Sequence, residues 1–427
     1  MRLGGRLAAA IEILDDIENR HRPAAEALKD WGVSHRFAGS GDRAAIGNIV
    51  YDALRRRRSA ASMMGDGSSR AIAIGGLLTE WPMSPAALNE ALDGDRFAPP
   101  PLTETELARI AAFDPAAMPD GDRADCPAWC EPLLEAAYGD DWIEEGRALG
   151  ARPPLDLRVN TLKASKDKVL RELSRTGASE TALAAQGLRI APVSGGGRHP
   201  NVQAEPAFQK GWFEVQDEGS QLAAALAGAA PGMQVLDYCA GAGGKTLALS
   251  AAMENRGQIH AHDADRLRLA PIFDRLKRAG CRNVQVIADP KALEPHAGQF
   301  DLVLVDAPCT GSGTWRRKPD AKWRLTERQL EARVADQTAI LESASRFVRP
   351  GGHLVYVTCS VFRAENHDRI AAFLASRPEF APADHAARWA EIAPSRQDKV
   401  RIDPLGLSLS PARSGTDGFF VSVMARG

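Results

Sequence analysis

Two stretches of the chain decide the fold: DAPCTGSG at residues 306–313 and TCS at residues 358–360. Each follows a short apolar run, LVLV in the first case and LVYV in the second. Short aliphatic and β-branched runs that stop at Asp or Thr predict buried parallel strands. Because ligands of open α/β sheets bind at the carboxyl ends of such strands, we expect Cys309 and Cys359 to face one crevice. The alternative is that both thiols are core residues, since free cysteine is commonly buried.

Strand and helix signals alternate from Gln234 to the end of the chain. Such alternation predicts a parallel, doubly wound, Rossmann-like sheet with helices on both faces. The predicted strands cover residues 235–238, 258–262, 284–288, 302–306, 354–358 and 419–424. The predicted helices begin at 245, cover 266–279, lie within 327–347 and cover 365–376.

The chain ahead of this sheet has a different pattern. Leu3, Leu7, Ile11, Leu14 and Ile17 step by three or four residues, which predicts an amphipathic helix, and helical patterning continues beyond residue 60. Alternating residues at 155–160 and 188–190 flank a helical run and predict a small α+β unit. We therefore predict a helical domain over 1–140, a small α+β unit over 141–205 and the Rossmann-like domain over 206–427.

Composition gives the class of protein. The 427 residues are 44% hydrophobic and 25% charged with a net charge of −2, which is typical of a globular protein in water. No apolar run approaches the length of about 18 residues that a spanning helix requires, so we expect a cytoplasmic protein without a membrane partner. Cys126 and Cys130 have no second Cys or His pair to complete a zinc site, so we expect no metal.

Basic residues are clustered despite the balanced total. Arg55–Arg58 is one block, and residues 316–324 form another that includes Trp323. Basic runs are commonly solvated faces, but an interleaved aromatic residue next to a candidate active site favours a polyanionic partner.

A glycine-rich turn follows the first predicted strand. The segment DYCAGAGGKT at 237–246 opens a helix, and its glycines allow the backbone to approach a ligand closely. Asp263 and Asp289 end the next two predicted strands, where carboxylates can accept hydrogen bonds from a ribose and from an adenine amino group. Together they predict a nucleoside pocket, although each acid could instead be a helix N-cap. The turn residues expected to contact the ligand are Cys239, Ala240, Gly241, Ala242, Gly243, Gly244 and Lys245.

These motifs resemble the Sun/RsmB family of S-adenosylmethionine-dependent RNA cytosine-C5 methyltransferases. The matching stretches are 158–163, 216–221, 237–246, 306–313, 316–323, 358–360 and 417–420, and residues 42–58 resemble a NusB-like helical domain. The family's first motif usually reads CAAPGGK, whereas Gly241 and Ala242 stand here in place of Ala and Pro. The loss of proline loosens the turn without removing its backbone contacts, so the cofactor assignment is kept.

The resemblance implies a role for each motif. Cys359 is the nucleophile and Cys309 assists release, while Asp306 holds the cytosine and Lys245 reaches the same pocket. S-adenosylmethionine is the cofactor and Asp306 also borders its site. The segments 158–163 and 316–324 are expected to hold RNA phosphates, with Trp323 packing rather than stacking on a base.

The implied substrate is small-subunit rRNA, and the protein is expected to be a monomer. The helical front domain, which contains the block Arg55–Arg58, is expected to recruit RNA. Two alternatives stay open: the same chemistry on tRNA, and an RNA-binding assembly factor that retains the fold without turnover. The presence of Cys309, Cys359, Asp306 and Lys245 argues against the second.

Overall fold

Helices joined by short turns build the first part of the chain. The structure is a computed structural model that describes residues 1–427. The apolar stripe of the first helix is buried at Leu7, Ile13 and Leu14, where it packs into the core of this region. The helices are α1 (Leu3–Arg20), α2 (Ala24–Ser34), α3 (Ser40–Arg55), α4 (Arg57–Met64), α5 (Ser69–Glu80), α6 (Pro85–Leu92), α7 (Glu104–Ala112), α8 (Asp120–Arg123), α9 (Glu131–Tyr138) and α10 (Trp142–Leu149). The predicted helical region is therefore present.

The chain divides into two units. Unit 1 comprises Met1–Pro153, Pro192–His199 and Trp315–Leu325, and unit 2 comprises Pro154–Ala191, Pro200–Thr314 and Thr326–Gly427. This division differs from the predicted boundaries at residues 140 and 205. Helix α10 packs against α8 and α9, which keeps it in the helical unit. Two later segments also fold back into unit 1, and no local sequence pattern announces such a return.

A small antiparallel sheet begins unit 2. Its strands are β1 (Leu155–Val159), β2 (Ser179–Glu180), β3 (Gly187–Ile190) and β4 (Phe213–Val215), in the order β2-β3-β1-β4. The buried side chains of Leu157, Val159, Leu188 and Phe213 form its apolar face, which packs against Val169 of the intervening helix. The predicted α+β unit is therefore present, and its fourth strand lies beyond the predicted end at residue 205.

The large sheet is Rossmann-like, as the sequence predicts. Its order is β11-β12-β13-β9-β8-β5-β6-β7, with β10 paired to β13. The strands are β5 (Gln234–Asp237), β6 (Gln258–His262), β7 (Val284–Ile287), β8 (Phe300–Asp306), β9 (Val348–Thr358), β10 (Phe380–Pro382), β11 (Arg401–Asp403), β12 (Gly406–Leu409) and β13 (Phe419–Arg426). The five strands from β5 to β9 are parallel, whereas β10 to β13 pair antiparallel. The prediction of a wholly parallel sheet is wrong at this edge.

Helices flank the sheets of unit 2, and one further helix belongs to unit 1. They are α11 (Lys166–Glu172), α12 (Pro206–Gln209), α13 (Glu218–Leu226), α14 (Gly244–Ala252), α15 (Arg266–Leu269), α16 (Ile272–Ala279), α17 (Pro319–Arg324, in unit 1), α18 (Glu327–Ser345), α19 (His367–Ser376), α20 (His385–Ile392) and α21 (Pro411–Ser414). The helix predicted over 266–279 is broken at Pro271, because a proline has no backbone N–H to continue the helical hydrogen bonds and its ring crowds the preceding turn. None of the helices combines the length and the apolar character that crossing a membrane requires.

The parallel strands end at one edge of the sheet. Strand β8 lies between β5 and β9, with Asp237 opposite Leu304 and Asp306 opposite Val357. The residues that follow β5, β8 and β9 therefore emerge side by side. This is the edge where ligands of open α/β sheets bind.

Candidate active site

The two predicted cysteines meet at this edge. Cys309 lies in the turn after β8 and Cys359 directly follows β9, and their sulfur atoms are 3.4 Å apart. Both are free thiols and are half-buried. The backbone N–H of Gly313 donates to the carbonyl oxygen of Cys359 (2.9 Å), which joins the two loops. The strand ends thus bring together the thiols that the sequence placed in one crevice.

The two thiols differ in their environment. A hydrogen bond with Cys359, then burial, then the negative charge of Glu365 raise the pKa of Cys309 well above the ordinary value of a thiol. Cys309 is therefore protonated at neutral pH. A protonated thiol is a proton donor and a poor nucleophile, because the thiolate is the reactive form of cysteine.

Lys245 and Asp306 also meet. The ammonium group of Lys245 lies 2.6 Å from Oδ2 of Asp306, and it lies 5.4 Å from the ring centroid of Phe419. Lys245 is buried at the start of α14, whereas the side chain of Asp306 keeps 36% of its exposure. The pair therefore presents a carboxylate that a ligand can reach, with its charge balanced from behind by a buried cation.

The glycine-rich turn after β5 has the conformation its sequence predicts. Gly241 and Gly243 adopt φ values of 50° and 83°, in the left-handed region that favours glycine. The N–H of Gly241 donates to Oδ2 of Asp263 (2.9 Å). At Ala242, where the resemblance leads us to expect proline, the guanidinium of Arg275 donates to the backbone carbonyl (2.8 Å). A side chain from α16 thus holds the turn that lacks a proline.

The turn fits the expected cofactor. A Cβ atom added at Gly241 would meet only the side chains of Arg268 (3.6 Å) and Asp263 (3.8 Å) within 4 Å. The space beside the turn is therefore open to a ligand. The carboxylate of Asp263 is buried and accepts one backbone N–H on each oxygen, from Gly241 and Asp265, so further lone pairs stay available to ligand hydroxyls.

No hydrogen bond or ion pair connects Asp289 with the glycine-rich turn or with Asp263. Asp289 is exposed, and its carboxylate accepts the N–H of Lys291 (3.0 Å) at the start of a 3-10 turn over Pro290–His296. This is the N-cap geometry that the sequence left open as an alternative. Cys239, by contrast, lies in the turn itself, where burial raises the pKa of its thiol.

Sequence reasoning missed Asp237, although it stands inside the quoted motif. The residue ends β5 and is completely buried. Its Oδ2 accepts the hydroxyl of Thr246 (2.6 Å), whereas no protein group donates to Oδ1. Burial raises the pKa of Asp237 to about 7. An acid at a strand end before a glycine turn was the available signal.

A second missed residue is Glu365, which follows the TCS stretch. Its carboxylate is completely buried and contacts both cysteine loops. The only sequence signal was an acid in a segment otherwise assigned to the start of a helix.

The basic segments are largely internal to the fold. Arg316 and Lys322 are buried within unit 1, and the ammonium group of Lys322 donates to the backbone carbonyl of Asp125. Burial lowers the pKa of Lys322 to about 8. The indole N–H of Trp323 donates to the carbonyl of Leu54 (2.6 Å), so Trp323 packs, as expected. These buried groups are not presented to RNA phosphates, which corrects the expectation for this part of 316–324.

The same correction applies to two other expected phosphate contacts. In the arginine block, Arg55 and Arg56 are buried and pair with Asp52 and Glu80. In the 158–163 segment, Arg158 is buried and donates to the side chain of Gln216 (2.7 Å). These three arginines thus form internal contacts, whereas Lys163 and Lys318 of the other expected segments are exposed.

Two segments of the chain match described protein families. Residues 224–425 match the family described as 16S rRNA methyltransferase RsmB/F. Residues 126–193 match a ferredoxin-like domain described as Methyltr_RsmF/B-like.

Individual relatives agree with these matches. A probable ribosomal RNA small subunit methyltransferase B of Synechocystis is 31% identical over 71% of this chain and 67% of its own length. The ribosomal RNA small subunit methyltransferase B of Sodalis glossinidius is 31% identical over 80% of this chain and 77% of its own. Among solved structures, the crystal structure of PH0851 is 26% identical with a TM-score of 0.72, covering 99% of this chain and all (100%) of that one.

Proposed function

This chain belongs to the RsmB/F family of S-adenosylmethionine-dependent rRNA methyltransferases, and from that premise we propose that it methylates carbon 5 of a cytosine in small-subunit rRNA. The observation that carries the proposal is the pair of free thiols, Cys309 and Cys359, whose sulfurs are 3.4 Å apart at the ligand-binding edge of the sheet. Methylation of a base nitrogen or of a ribose hydroxyl needs no thiol, so two thiols at the reacting edge support carbon methylation.

Carbon 5 of cytosine is a weak nucleophile, and addition of a thiolate to the ring makes it a stronger one. Addition of the Cys359 thiolate to carbon 6 moves electron density to carbon 5, which becomes enamine-like. S-adenosylmethionine, when bound, would supply an electrophilic methyl group to that carbon and leave as S-adenosylhomocysteine. A base, with solvent water as the simplest acceptor, then takes the carbon 5 proton, the electrons of that C–H bond restore the carbon 5–carbon 6 double bond, and the Cys359–carbon 6 bond breaks with its electron pair on sulfur. We assign the attack to one thiol and assistance with release to the other, as the resemblance implies.

The protonated state of Cys309 supports that division of roles. Its raised pKa keeps a proton on Cys309, which suits a group that supplies a proton near the departing sulfur. Cys359, which the resemblance assigns as the attacking thiol, is a better leaving group once its sulfur takes that proton. The base must be unpaired or flipped out of its helix to reach both sulfurs.

Asp306 and Lys245 are proposed to act on the base. The exposed part of the Asp306 carboxylate is able to accept a hydrogen bond from the N4 amino group of cytosine, which orients the base for attack at carbon 6. Lys245 lies 2.6 Å from that carboxylate, and its positive charge offsets the negative charge that develops on the ring during addition.

The proposed cofactor site combines the turn Cys239–Lys245 with Asp263 and Asp306. We retain Asp289 as a more peripheral member. Substitution Asp263→Ala should weaken S-adenosylmethionine binding by about 1–3 kcal/mol, since it removes a charged acceptor from the pocket. Asp289→Ala, an exposed acid one strand further along, is the matched comparison and should weaken it less. Titration calorimetry that ranks the two variants in the opposite order would contradict this assignment.

A direct assay tests the proposed activity. The full chain is incubated with labelled S-adenosylmethionine and, separately, with 16S rRNA, small ribosomal subunits and total tRNA. The RNA is then digested and its nucleosides are identified by mass spectrometry. We expect 5-methylcytosine in 16S rRNA or the subunit. Label in tRNA alone would move the substrate to tRNA, and cofactor binding without transfer to any RNA would favour an assembly factor.

A further inference from the structure

Glu365 has an unusual environment for a buried carboxylate. Its side chain is completely buried, yet its partners are neutral donors rather than a cation. Oε1 accepts the backbone N–H of Thr310 (2.8 Å) and the side-chain amide of Gln337 (2.9 Å). Oε2 accepts the hydroxyl of Thr310 (2.5 Å) and the hydroxyl of Ser360. Burying a charge is costly unless hydrogen bonds satisfy it, so this set of donors is what permits the carboxylate here.

The donors stand next to the two cysteines. Thr310 directly follows Cys309, and Ser360 directly follows Cys359. One carboxylate therefore holds the residue beside each sulfur, and it does so through both the backbone and the side chain of Thr310. The separation of the sulfurs depends on how these two loops are tied.

Further contacts fix Glu365 itself. The hydroxyl of Tyr356 donates to its backbone carbonyl (2.7 Å) from within β9. The amide of Gln337 bonds Glu365 and also donates to the carbonyl of Pro308 (3.0 Å), on the other side of Cys309. Helix α18, strand β9 and both loops thus all contact Glu365. Both oxygens of Glu365 are satisfied, and the buried amide nitrogen of Gln337 bonds both Glu365 and Pro308, so these contacts restrain the two loops together.

We propose that Glu365 is a positioning residue for methyl transfer, which ties the loop of Cys309 to the loop of Cys359 and so sets the distance between the attacking and the releasing sulfur. The inference rests on the proposed function. Glu365 forms no hydrogen bond with either sulfur, and its effect passes through Thr310 and Ser360. A side chain that acts through its neighbours in this way changes the rate of the chemical step more than the binding of substrate.

Steady-state and single-turnover kinetics test the proposal. Glu365→Ala should lower kcat on the order of 100-fold, the effect of a displacement of about 1 Å at a reacting group, while KM for RNA and for S-adenosylmethionine stays within about threefold. Glu365→Gln should recover most of the rate. Its oxygen still accepts from Thr310 and Gln337, and its amino group donates to the two hydroxyls, which rotate to accept. Glu331→Ala, at an exposed glutamate of α18, is the control and should behave as the wild type.

A second measurement needs no turnover. Diamide oxidises a pair of thiols by removing two electrons and two protons, which forms one S–S bond while the diamide is reduced to the hydrazine. The rate of Cys309–Cys359 disulfide formation, followed by peptide mass spectrometry, depends on the distance between the sulfurs. It should fall at least about tenfold in Glu365→Ala and return in Glu365→Gln. Thr310→Val removes one hydrogen bond to Glu365 and leaves the carboxylate in place. Its rate of disulfide formation should fall below that of the wild type by less than about tenfold, and this variant replaces Glu365→Ala in the test if the latter fails to fold.

The outcomes separate this inference from the proposed function. A wild-type chain that methylates no RNA would count against the function, and the diamide rates would still decide the role of Glu365. If the wild type is active while Glu365→Ala keeps both its kcat and its diamide rate, the positioning role is overturned. A loss confined to KM, with kcat retained, would overturn it as well.

Discussion

Lys245 and Asp306 bridge two neighbouring strands of the sheet, with 2.6 Å between the ammonium nitrogen and Oδ2. Lys245 follows β5 through the glycine turn, and Asp306 ends β8, which pairs with β5 in parallel. The ion pair therefore connects the proposed cofactor turn to the loop that carries Cys309. Because the lysine is buried and the aspartate is partly exposed, the charge of the pair is presented on one side only.

Substitution Asp306→Asn tests the importance of that charge. The side chain keeps its volume and one amide oxygen that accepts hydrogen bonds, but it loses the negative charge and leaves the buried Lys245 without a counter-ion. We expect kcat to fall on the order of 10²–10³-fold, the usual effect of removing one stabilising group from a water-excluded site. Asp301→Asn, near the start of the same strand, is the control. A kcat within twofold of the wild type would remove Asp306 from the chemistry.

Asp237→Asn should change how stability depends on pH. The folded chain holds a proton on Asp237 up to about pH 7, whereas an unfolded aspartate with a pKa of 3.8 has lost it, so stability falls as pH rises between these values. Asparagine still accepts the hydroxyl of Thr246 but does not titrate. Thermal melts at pH 5 and pH 8 without ligand should show a smaller loss for the variant. Equal losses in both proteins would show that Asp237 is ionised throughout.

The site could be predicted from sequence to the extent that strand ends determine it. The apolar runs before Asp306 and Cys359 define β8 and β9, and their parallel pairing makes the two cysteines neighbours. The contribution of Glu365 could not be predicted, since its partners come from a loop, a helix and another loop that only the folded chain brings together. The short strands β11 and β12 were missed for a related reason. Three or four residues are too few to establish an alternating pattern.

Charge clusters were the least reliable signal. Residues 316–324 look like a polyanion-binding segment. Within unit 1, however, Lys322 donates to the carbonyl of Asp125 and its neighbour Trp323 donates to the carbonyl of Leu54, both distant in sequence. A basic run in a sequence does not distinguish an exposed cation from a buried one. Tertiary packing decides whether each cation is buried, and the number of basic residues in the run is the same for a buried and for an exposed segment.

The burial of Lys322 predicts that Lys322→Met changes how stability depends on pH. The folded lysine has a pKa of about 8 against an ordinary value of 10.5, so the folded chain releases its proton first and stability rises with pH between those values. Methionine fills a similar volume without a charge and should abolish this rise. Urea unfolding at pH 8 and pH 10 measures the difference, and Lys318→Met at an exposed position of the same segment is the control. A variant with the same pH dependence as the wild type would contradict the assignment.

The last prediction concerns which thiol attacks the base. Proximity alone does not decide, because the sulfurs are 3.4 Å apart and both border the same edge of the sheet. The resemblance of the TCS stretch at 358–360 assigns the attack to Cys359, and the raised pKa of Cys309 is in keeping with a proton donor. Cys359→Ala should abolish methylation and form no covalent RNA adduct. Cys309→Ala should still add to carbon 6 and accept the methyl group but release it slowly, so that a protein–RNA species accumulates and survives denaturing electrophoresis. A stable adduct in Cys359→Ala, with none in Cys309→Ala, would reverse the two roles.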